Sequence, residues 1–482
     1  MRPAVLVVLA ALTVLSSVPT PAAAAKAAKP ASTPPAAATS STEIGTGAAG
    51  KGMTAEDAVK IALQKSGDIV RADANVLTAR SGLWGAYSGV MPSVSANFQR
   101  SGSFTHENSG VQAFGSVAVP SSNQDNEQYQ TTYGLSGSWS VLNPSAIVGL
   151  SSARAGMKAA DLGHKSARAD VRLATKRQFY STVKAMWLAV VQARALKLAR
   201  DDERRVRALF EVGSVSKSDL LKAQVRTASA QLDSTLADHD VITQRLLLAS
   251  QLGIPQEQLG EVDSTLSNVH ETLDASGVLE EARKNRPDIH AAEADMKSAE
   301  LALRSAHFAR LPSLELQGSF TPKSTSAQKQ KQFIDVTLPN DSLATGTTHF
   351  ESKNIYSGRL FVSLPIFDGF ATDSRVAQSR SQLLNAKETR DALLRNLESE
   401  VRQSLLSYQE ATEREALARR AMESASENMN LVQQKYNVGS ATILDLIDAQ
   451  LQLQRSASEL VSALADIRVA EALVDRVRGK GE

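Results

Sequence analysis

Residues 356–369 read Tyr-Ser-Gly-Arg-Leu-Phe-Val-Ser-Leu-Pro-Ile-Phe-Asp-Gly. Tyr356, Leu360, Val362 and Leu364 alternate with Ser357, Arg359, Phe361 and Ser363, the period-two pattern of a strand with unlike faces. After Pro365 no proline occurs again, and the chain becomes rich in Ala, Leu, Arg, Glu and Gln, all strong helix formers. A strand that feeds straight into a very long helical region therefore decides the fold. The same grammar precedes it: no proline lies between Pro144 and Pro255. Away from its ends and from the run Gly149, Gly156, Gly163, that gap holds one glycine, Gly213, and the C-terminal gap holds Gly439. Each gap is expected to be two long helices joined by a tight turn. The first of them, about Ser145 to Glu211, would be about 100 Å long at the helical rise. In the last, Leu446, Leu453, Leu460, Ile467 and Val474 recur every seven residues, with Ala470 and Val477 at the complementary position, as side-by-side helices require.

Working outward, the halves repeat. Asp68-Ile69 matches Asp288-Ile289, and Met91-Pro92-Ser93-Val94 matches Leu311-Pro312-Ser313-Leu314. Val141-Leu142-Asn143 matches Ile366-Phe367-Asp368. Phe210, Val212-Gly213-Ser214, Asp219-Leu220 and Gln224 match Tyr436, Val438-Gly439-Ser440, Asp445-Leu446 and Gln450. Anchors in one order at a nearly constant offset indicate an internal duplication. Between them Val94, Ala96 and Phe98, then Tyr129 to Val141, then Leu314, Leu316 and Phe320, alternate with polar neighbours. Two strand pairs result, each expected to be joined by a long polar loop, about Thr105 to Gln128 and Lys323 to Asn354.

Such alternation fits a sheet on a soluble core or a lipid-facing barrel. The flanking helices are too long and narrow to serve as the core, which favours the barrel. Four strands cannot close one, so several chains must pool strands in a closed cyclic oligomer.

The N-terminus is expected to be a signal peptide over residues 1–25: Met1-Arg2, an apolar run from Ala4 to Val18, then small residues to Ala25. Residues 26–52, nearly all Ala, Pro, Ser, Thr, Gly and Lys, read as a disordered linker. Order begins near Thr54, where Thr54 and Asp57 form a capping-box pattern. The first repeat spans residues 53–260, the second 261–478, and 479–482 is a tail. No run elsewhere is long and apolar enough for a membrane-spanning helix. Cysteine is absent, which excludes disulfides and thiolate chemistry, and a net charge of +2 gives no basis for nucleic-acid binding. Residues 45–52 superficially suggest a phosphate loop, but the hydroxyl after Lys51 and the preceding strand are missing. The seven histidines show no metal-ligand spacing. No catalytic residue, cofactor or metal site is expected.

The duplicated helix, the Leu-Pro-Ser-Leu entry at 311–314, the strand pairs, the Leu-Pro-Ile-Phe-Asp-Gly exit at 364–369 and the Tyr-Asn-Val-Gly turn at 436–439 together resemble the TolC family of outer-membrane efflux proteins. The likeness runs from about Met53 to Val477. It implies a mainly α fold with a membrane β-barrel part: duplicated helical hairpins forming a periplasmic α-barrel, and four strands per chain pooled by a homotrimer into a twelve-stranded barrel in outer-membrane lipid. It also implies an exit duct for small toxic compounds or polypeptides in a Gram-negative-type envelope. The duct would receive them from a periplasmic adaptor (membrane fusion) protein and an inner-membrane pump of the RND, ABC or MFS type. The turns Val212-Gly213-Ser214 and Val438-Gly439-Ser440 would face the adaptor. Asp219 and Tyr436 match the family's aperture lock, although Ala441 stands where the lock has arginine, with Lys435 or Lys217 as possible stand-ins. Asp445 and Asp448 match its acidic rings.

Local readings stand beside these. Asp219 after Ser216, and Asp445 after Thr442, both fit helix caps, and Tyr436 fits an aromatic packed beneath the turn. Asp448 lies beyond the first helical turn and its repeat counterpart is Lys222, so neither capping nor duplication accounts for it. The mixed run Asp201 to Arg207 fits a solvated helix face. The alternatives to a channel are a periplasmic structural coiled coil without a pore, which the alternating strands disfavour, and an exported enzyme, for which no catalytic constellation is present.

Overall fold

A computed structural model describes residues 52–107, 111–114, 117–120, 123–266, 274–322, 325–333, 344–351 and 353–480. The expected signal peptide, nearly all of the linker and the last two residues lie outside the described residues. The elements come in two runs of the same order. The first has α1 (Ala55–Lys65), α2 (Gly67–Ser88), strands β1 (Ser93–Glu107), β2 (Val111–Phe114), β3 (Val117–Pro120) and β4 (Asn123–Leu142), then α3 (Pro144–Glu211) and α4 (Lys217–Leu252). The second has α5 (Ala275–Asn285), α6 (Pro287–Phe308), β5 (Ser313–Thr321), β6 (Thr325–Phe333), β7 (Ala344–Glu351) and β8 (Ile355–Ser363), then α7 (Ala371–Asn437) and α8 (Ile443–Arg478).

Local chemistry sets the boundaries. Thr54 caps α1 by accepting the Asp57 amide at 3.2 Å. Asn143 caps α3 by accepting the Ala146 amide at 3.0 Å, with Pro144 at the first helical position. Gly253 ends α4 at φ +67°, where a Cβ would sit 2.4 Å from the Lys65 carbonyl oxygen, so only glycine fits. No described helix is long and apolar enough to cross a membrane.

The helices form one layer of four columns. On one side α3 packs against α2 and α4, on the other against α6 and α8, and α7 packs against α6 and α8. The sheet repeats this order. β1 pairs with β4 along its whole length, and β4 pairs on its other edge with β5 and β6. β8 then follows on β5 and β7 on β6, all antiparallel. β5 with β6, and β7 with β8, are each one long strand with a short interruption, so four strands lie side by side and each runs into one helical column. β1 and the β7–β8 line are open edges.

The polar segments expected to be loops are largely strand: β1 reaches Glu107, β4 starts at Asn123, and β6 and β7 occupy part of 323–354. These stretches are polar at successive positions, so hydropathy shows no period of two, yet the ladder bonds backbone to backbone whatever the side chains.

The core is correspondingly thin and lies between neighbouring columns. Around the middle, Ala58, Phe179, Val183, Leu248, Leu252, Val461 and Leu464 meet. Toward the hairpin turns, Val206, Ala223, Met429, Ile443, Leu446 and Ala449 meet. The heptad positions Leu446, Leu460, Ile467 and Val474 are all buried. One side chain of the mixed run departs from the solvated-face reading. Asp201–Arg204 and Glu203–Arg207 pair along the surface, but Asp202 turns inward and accepts a hydrogen bond from buried Gln450 of α8. Ala199, Asp202 and Val206 share one helical face, and all three are buried.

Burial pushes the Asp202 carboxyl above its usual 3.8, against the Gln450 hydrogen bond and the nearby Arg205 charge. A carboxyl whose pKa is raised on folding favours the folded state at low pH and ceases to do so as pH rises through that raised value. Asp202→Asn keeps the shape and an acceptor for Gln450, so its melting temperature is expected to fall less than wild type's as pH climbs from 3.8 toward neutrality. An unchanged slope in thermal melts across that range would show that Asp202 is not the group responsible. Leu446 is fully buried. Leu446→Ala is expected to destabilise the chain by about 2–5 kcal/mol in denaturant unfolding.

Candidate functional site

The two hairpin turns are built alike. Val212 and Val438 end the long helices near φ −92° and −95°, and Gly213 and Gly439 follow at φ +77° and +75°. The Ser214 amide then donates to the Leu209 carbonyl at 2.9 Å, and the Ser440 amide to the Lys435 carbonyl at 2.8 Å. This is the left-handed glycine stop of a helix, and it leaves Val212 and Val438 more than 70% exposed at the tips, 75% and 79%.

The returning helices start on capped carboxylates. Ser216 accepts the Asp219 amide at 3.2 Å and its hydroxyl donates to Asp219 Oδ2 at 2.7 Å. Lys222 Nζ lies 3.3 Å from the other Asp219 oxygen. The Ser216 hydroxyl, then Lys222, hold the Asp219 carboxyl below its usual range. Thr442 and Asp445 close a full capping box, with the Thr442 amide donating to Asp445 Oδ2 at 2.8 Å. That backbone bond, then the Thr442 hydroxyl, holds the Asp445 carboxyl low.

Tyr436 packs against the tip cluster around Leu446. Burial pushes its phenol up, while the charges of Arg205, Asp202 and Asp219 all reach it. The Asp219 charge thus bears on Tyr436, but no hydrogen bond joins the two among the described residues. Lys217 and Lys435 do not pair with Asp219; Lys222 does. Asp448 is exposed, one turn beyond Asp445 on the same face of α8, and pairs with no cation among the described residues.

Two features were not singled out from sequence. One is Asp202, whose charged neighbours masked it; Gln450, already an anchor of the repeat, was the available pointer. The other is the polar face of the sheet. Ser95, Ser136, Ser319 and Ser357 form one rung across all four strands, and Ser93, Ser138, Gln317 and Arg359 form the next. Ser95 and Ser136 hydroxyls are 2.8 Å apart, and those of Ser319 and Ser357 are 2.7 Å apart. Arg359 lines the same shallow groove as these serines and makes no ion pair among the described residues. Only the cross-strand register brings these residues together. The arrangement offers hydroxyls and one cation on the sheet face and carboxylates at the tips.

Residues 278–480 match the outer membrane efflux protein family. Outer membrane protein TolC of Escherichia coli is 24% identical over 261 residues, which are 53% of this chain and 50% of that one. Nodulation protein T of Rhizobium leguminosarum bv. trifolii is 25% identical over 298 residues, 61% of this chain and 59% of that one. The chain thus spans about half the length of the curated relatives it matches. The fold likeness is wider: the CmeC outer membrane channel of Campylobacter jejuni superposes with a TM-score of 0.71 at 18% identity, covering 89% of this chain and 86% of that one. The family match thus covers the second run of elements, residues 278–480, and the likeness of fold to an outer membrane channel extends over most of the chain.

Proposed function

We propose that this chain is the outer-membrane exit duct of a tripartite efflux or type I secretion system, working as a homotrimer, and that it is a conduit and not an enzyme. The observation that carries the reading is a single layer with two unlike open edges and an uncovered apolar sheet face. At one edge the helical column exposes Val70, Leu77 and Trp84 of α2 at seven-residue intervals, with Val225 and Leu232 of α4 in the same spacing. At the other edge α7 exposes Leu384, Leu406 and Leu417. Unlike edges join head to tail, and such contacts close into a ring when the rotation allows. The sheet edges, β1 and β7–β8, would pair between neighbouring copies in the same ring.

Outside the sheet, Val94, Phe98, Leu360 and Val362 stand exposed, and no helix packs across them. Ile366, Phe367 and Phe370 lie exposed where sheet meets helix, as the aromatic girdle of a membrane barrel does. Facing lipid, this band would satisfy its backbone within the ladder and its side chains in hydrocarbon. Two copies would give eight strands, whose interior side chains fill; three give twelve and leave a lumen lined by the serine rungs.

In this arrangement residues 53–260 and 261–478 are two copies of one unit, following a signal peptide (1–25) and a linker (26–52). The helical part stands in the periplasm, with the turns at Val212-Gly213-Ser214 and Val438-Gly439-Ser440 toward an adaptor and an inner-membrane pump of the RND, ABC or MFS type. Asp219, Tyr436, Asp445 and Asp448 ring the narrow end. Ala441 removes the family's arginine, so Lys222 takes the role of cation for Asp219. Among the carboxylates Asp448 is the free one, and three copies of it would attract cations at a constriction.

Extraction of the protein from outer membranes in mild detergent is expected to yield a complex of three mature chains after correction for bound detergent. A soluble protein, or a detergent-extracted monomer, would leave the pore-less periplasmic coiled coil as the better account. In planar bilayers, Asp448→Asn is expected to lower cation preference and divalent-cation block, while Asp445→Asn disturbs the helix cap as well. Selectivity identical to wild type would remove Asp448 from the constriction.

A further inference from the structure

Midway along the helical layer, α3, the α5–α6 junction and the end of α8 enclose a cleft of about 1050 Å³. Its wall carries Lys165, Arg168, Arg172, Lys284, Arg476 and Lys480, and among the described residues no carboxylate lines it. The α3 residues fall at i, i+3 and i+7, so they share one face. One turn further on, Lys176 is neutralised by Glu56 at 2.8 Å, whereas Arg168, Arg172 and Lys284 have no ion pair among the described residues.

Two buried nitrogens also lack acceptors: Nε of Arg172 and Nη1 of Arg476. Arg476 spends its Nε on Asp170 at 2.6 Å and reaches Asp288 at 3.8 Å, and its side chain is only 12% exposed. Buried guanidinium N–H groups without partners are rare in folded proteins, because each loses its water on burial. The N-terminus of α6 borders the cleft at Pro287; its N-cap residue Arg286 makes no capping bond, and Asp288 accepts the Ile289 amide at 2.9 Å. Arg168, Arg172 and Lys284, unpaired among the described residues, repel one another, so an anion in the cleft would relieve both that repulsion and the orphaned donors.

We propose that this cleft binds a soluble phosphate-class anion, held by the guanidinium forks of Arg168, Arg172 and Arg476 and the ammonium groups of Lys284 and Lys480. Planar forks match tetrahedral oxyanions in pairs of hydrogen bonds, which single halide ions cannot satisfy. Leu162 and Ala169 are the main apolar residues of the wall, too little surface for an acyl chain, so a lipid headgroup is not the occupant. The cleft uses no residue of α2, α4, α7 or the sheet, so the site stays open if copies close a ring and stands even if they do not.

The test is calorimetric titration of the full-length chain in mild detergent with inorganic pyrophosphate at fixed ionic strength. Saturable binding at one site per chain is expected, and the double variant Arg168→Gln/Arg172→Gln should raise Kd at least tenfold. Arg172→Lys, which keeps the charge but loses the fork, should fall between the two. Without pyrophosphate the double variant should melt no lower than wild type, because two unpaired cations have been removed, so lost binding will not reflect lost folding. No saturable binding at millimolar pyrophosphate, equal stabilisation by chloride, or wild-type affinity in the double variant would each overturn the proposal.

Discussion

Open backbone edges are the constraint on which the rest of this structure depends. β1 and the β7–β8 line each present unpaired N–H and C=O groups along their length, beside a sheet face of exposed Val, Phe and Leu. Neither is tolerable in isolation, since an edge templates pairing with another chain and an apolar face seeks cover. The helices inherit the same problem because each strand runs on into a helical column. One layer of columns has two ends, and both ends carry aliphatic stripes at helical spacing.

A layer one helix thick cannot have a deep core. Its buried surface is divided among seams between adjacent columns, which explains the abundance of buried alanine and the scarcity of aromatics. Along such seams a few polar ties set how neighbouring columns align. Arg286, at 5% side-chain exposure, binds Asp288 and Glu400 and so joins the start of α6 to α7. Burial alone would lower the Arg286 pKa, but the two carboxylates overcome it and hold the group more basic than usual. Asp202–Gln450 fixes α3 on α8, and Gln454 of α8 ties Gln192 of α3 to Arg226 of α4. A one-turn slip would separate these partners and leave buried polar groups unmatched, so they favour one register over its neighbours.

The polar chemistry differs from place to place along the long axis. The turns carry the capped carboxylates Asp219 and Asp445, the mid-layer cleft carries Arg168, Arg172 and Lys284 without ion pairs among the described residues, and the polar face of the sheet carries hydroxyls with Arg359. At the turns, the proposed aperture and the fold would draw on the same atoms. Asp219 and Asp445 are engaged by caps inside the chain, and a capped carboxylate keeps its charge while giving up much of its freedom to bind elsewhere. Asp448 has no such local duty, and the expectation that singled it out rested on that difference.

Sequence alone determined the order and kind of the elements. Proline gaps bounded α3, α4, α7 and α8, Gly213 and Gly439 placed both turns, and the heptad from Leu446 to Val474 foretold which face of α8 would be buried. These are local properties, carried by backbone dihedral preference and by side-chain period. Residues 106–107, 123–126, 325–333 and 344–351 escaped that logic, because polar strands in a ladder leave no hydropathy signature. Asp202 escaped it too: a carboxylate among six charged neighbours reads as solvated until Gln450, far along the chain, arrives to bury it. The serine rungs and the basic cleft gather residues from several segments, and no spacing within one segment records that. Only the packing of columns and the register of strands decided which of these side chains would meet, since those depend on contacts between residues hundreds of positions apart.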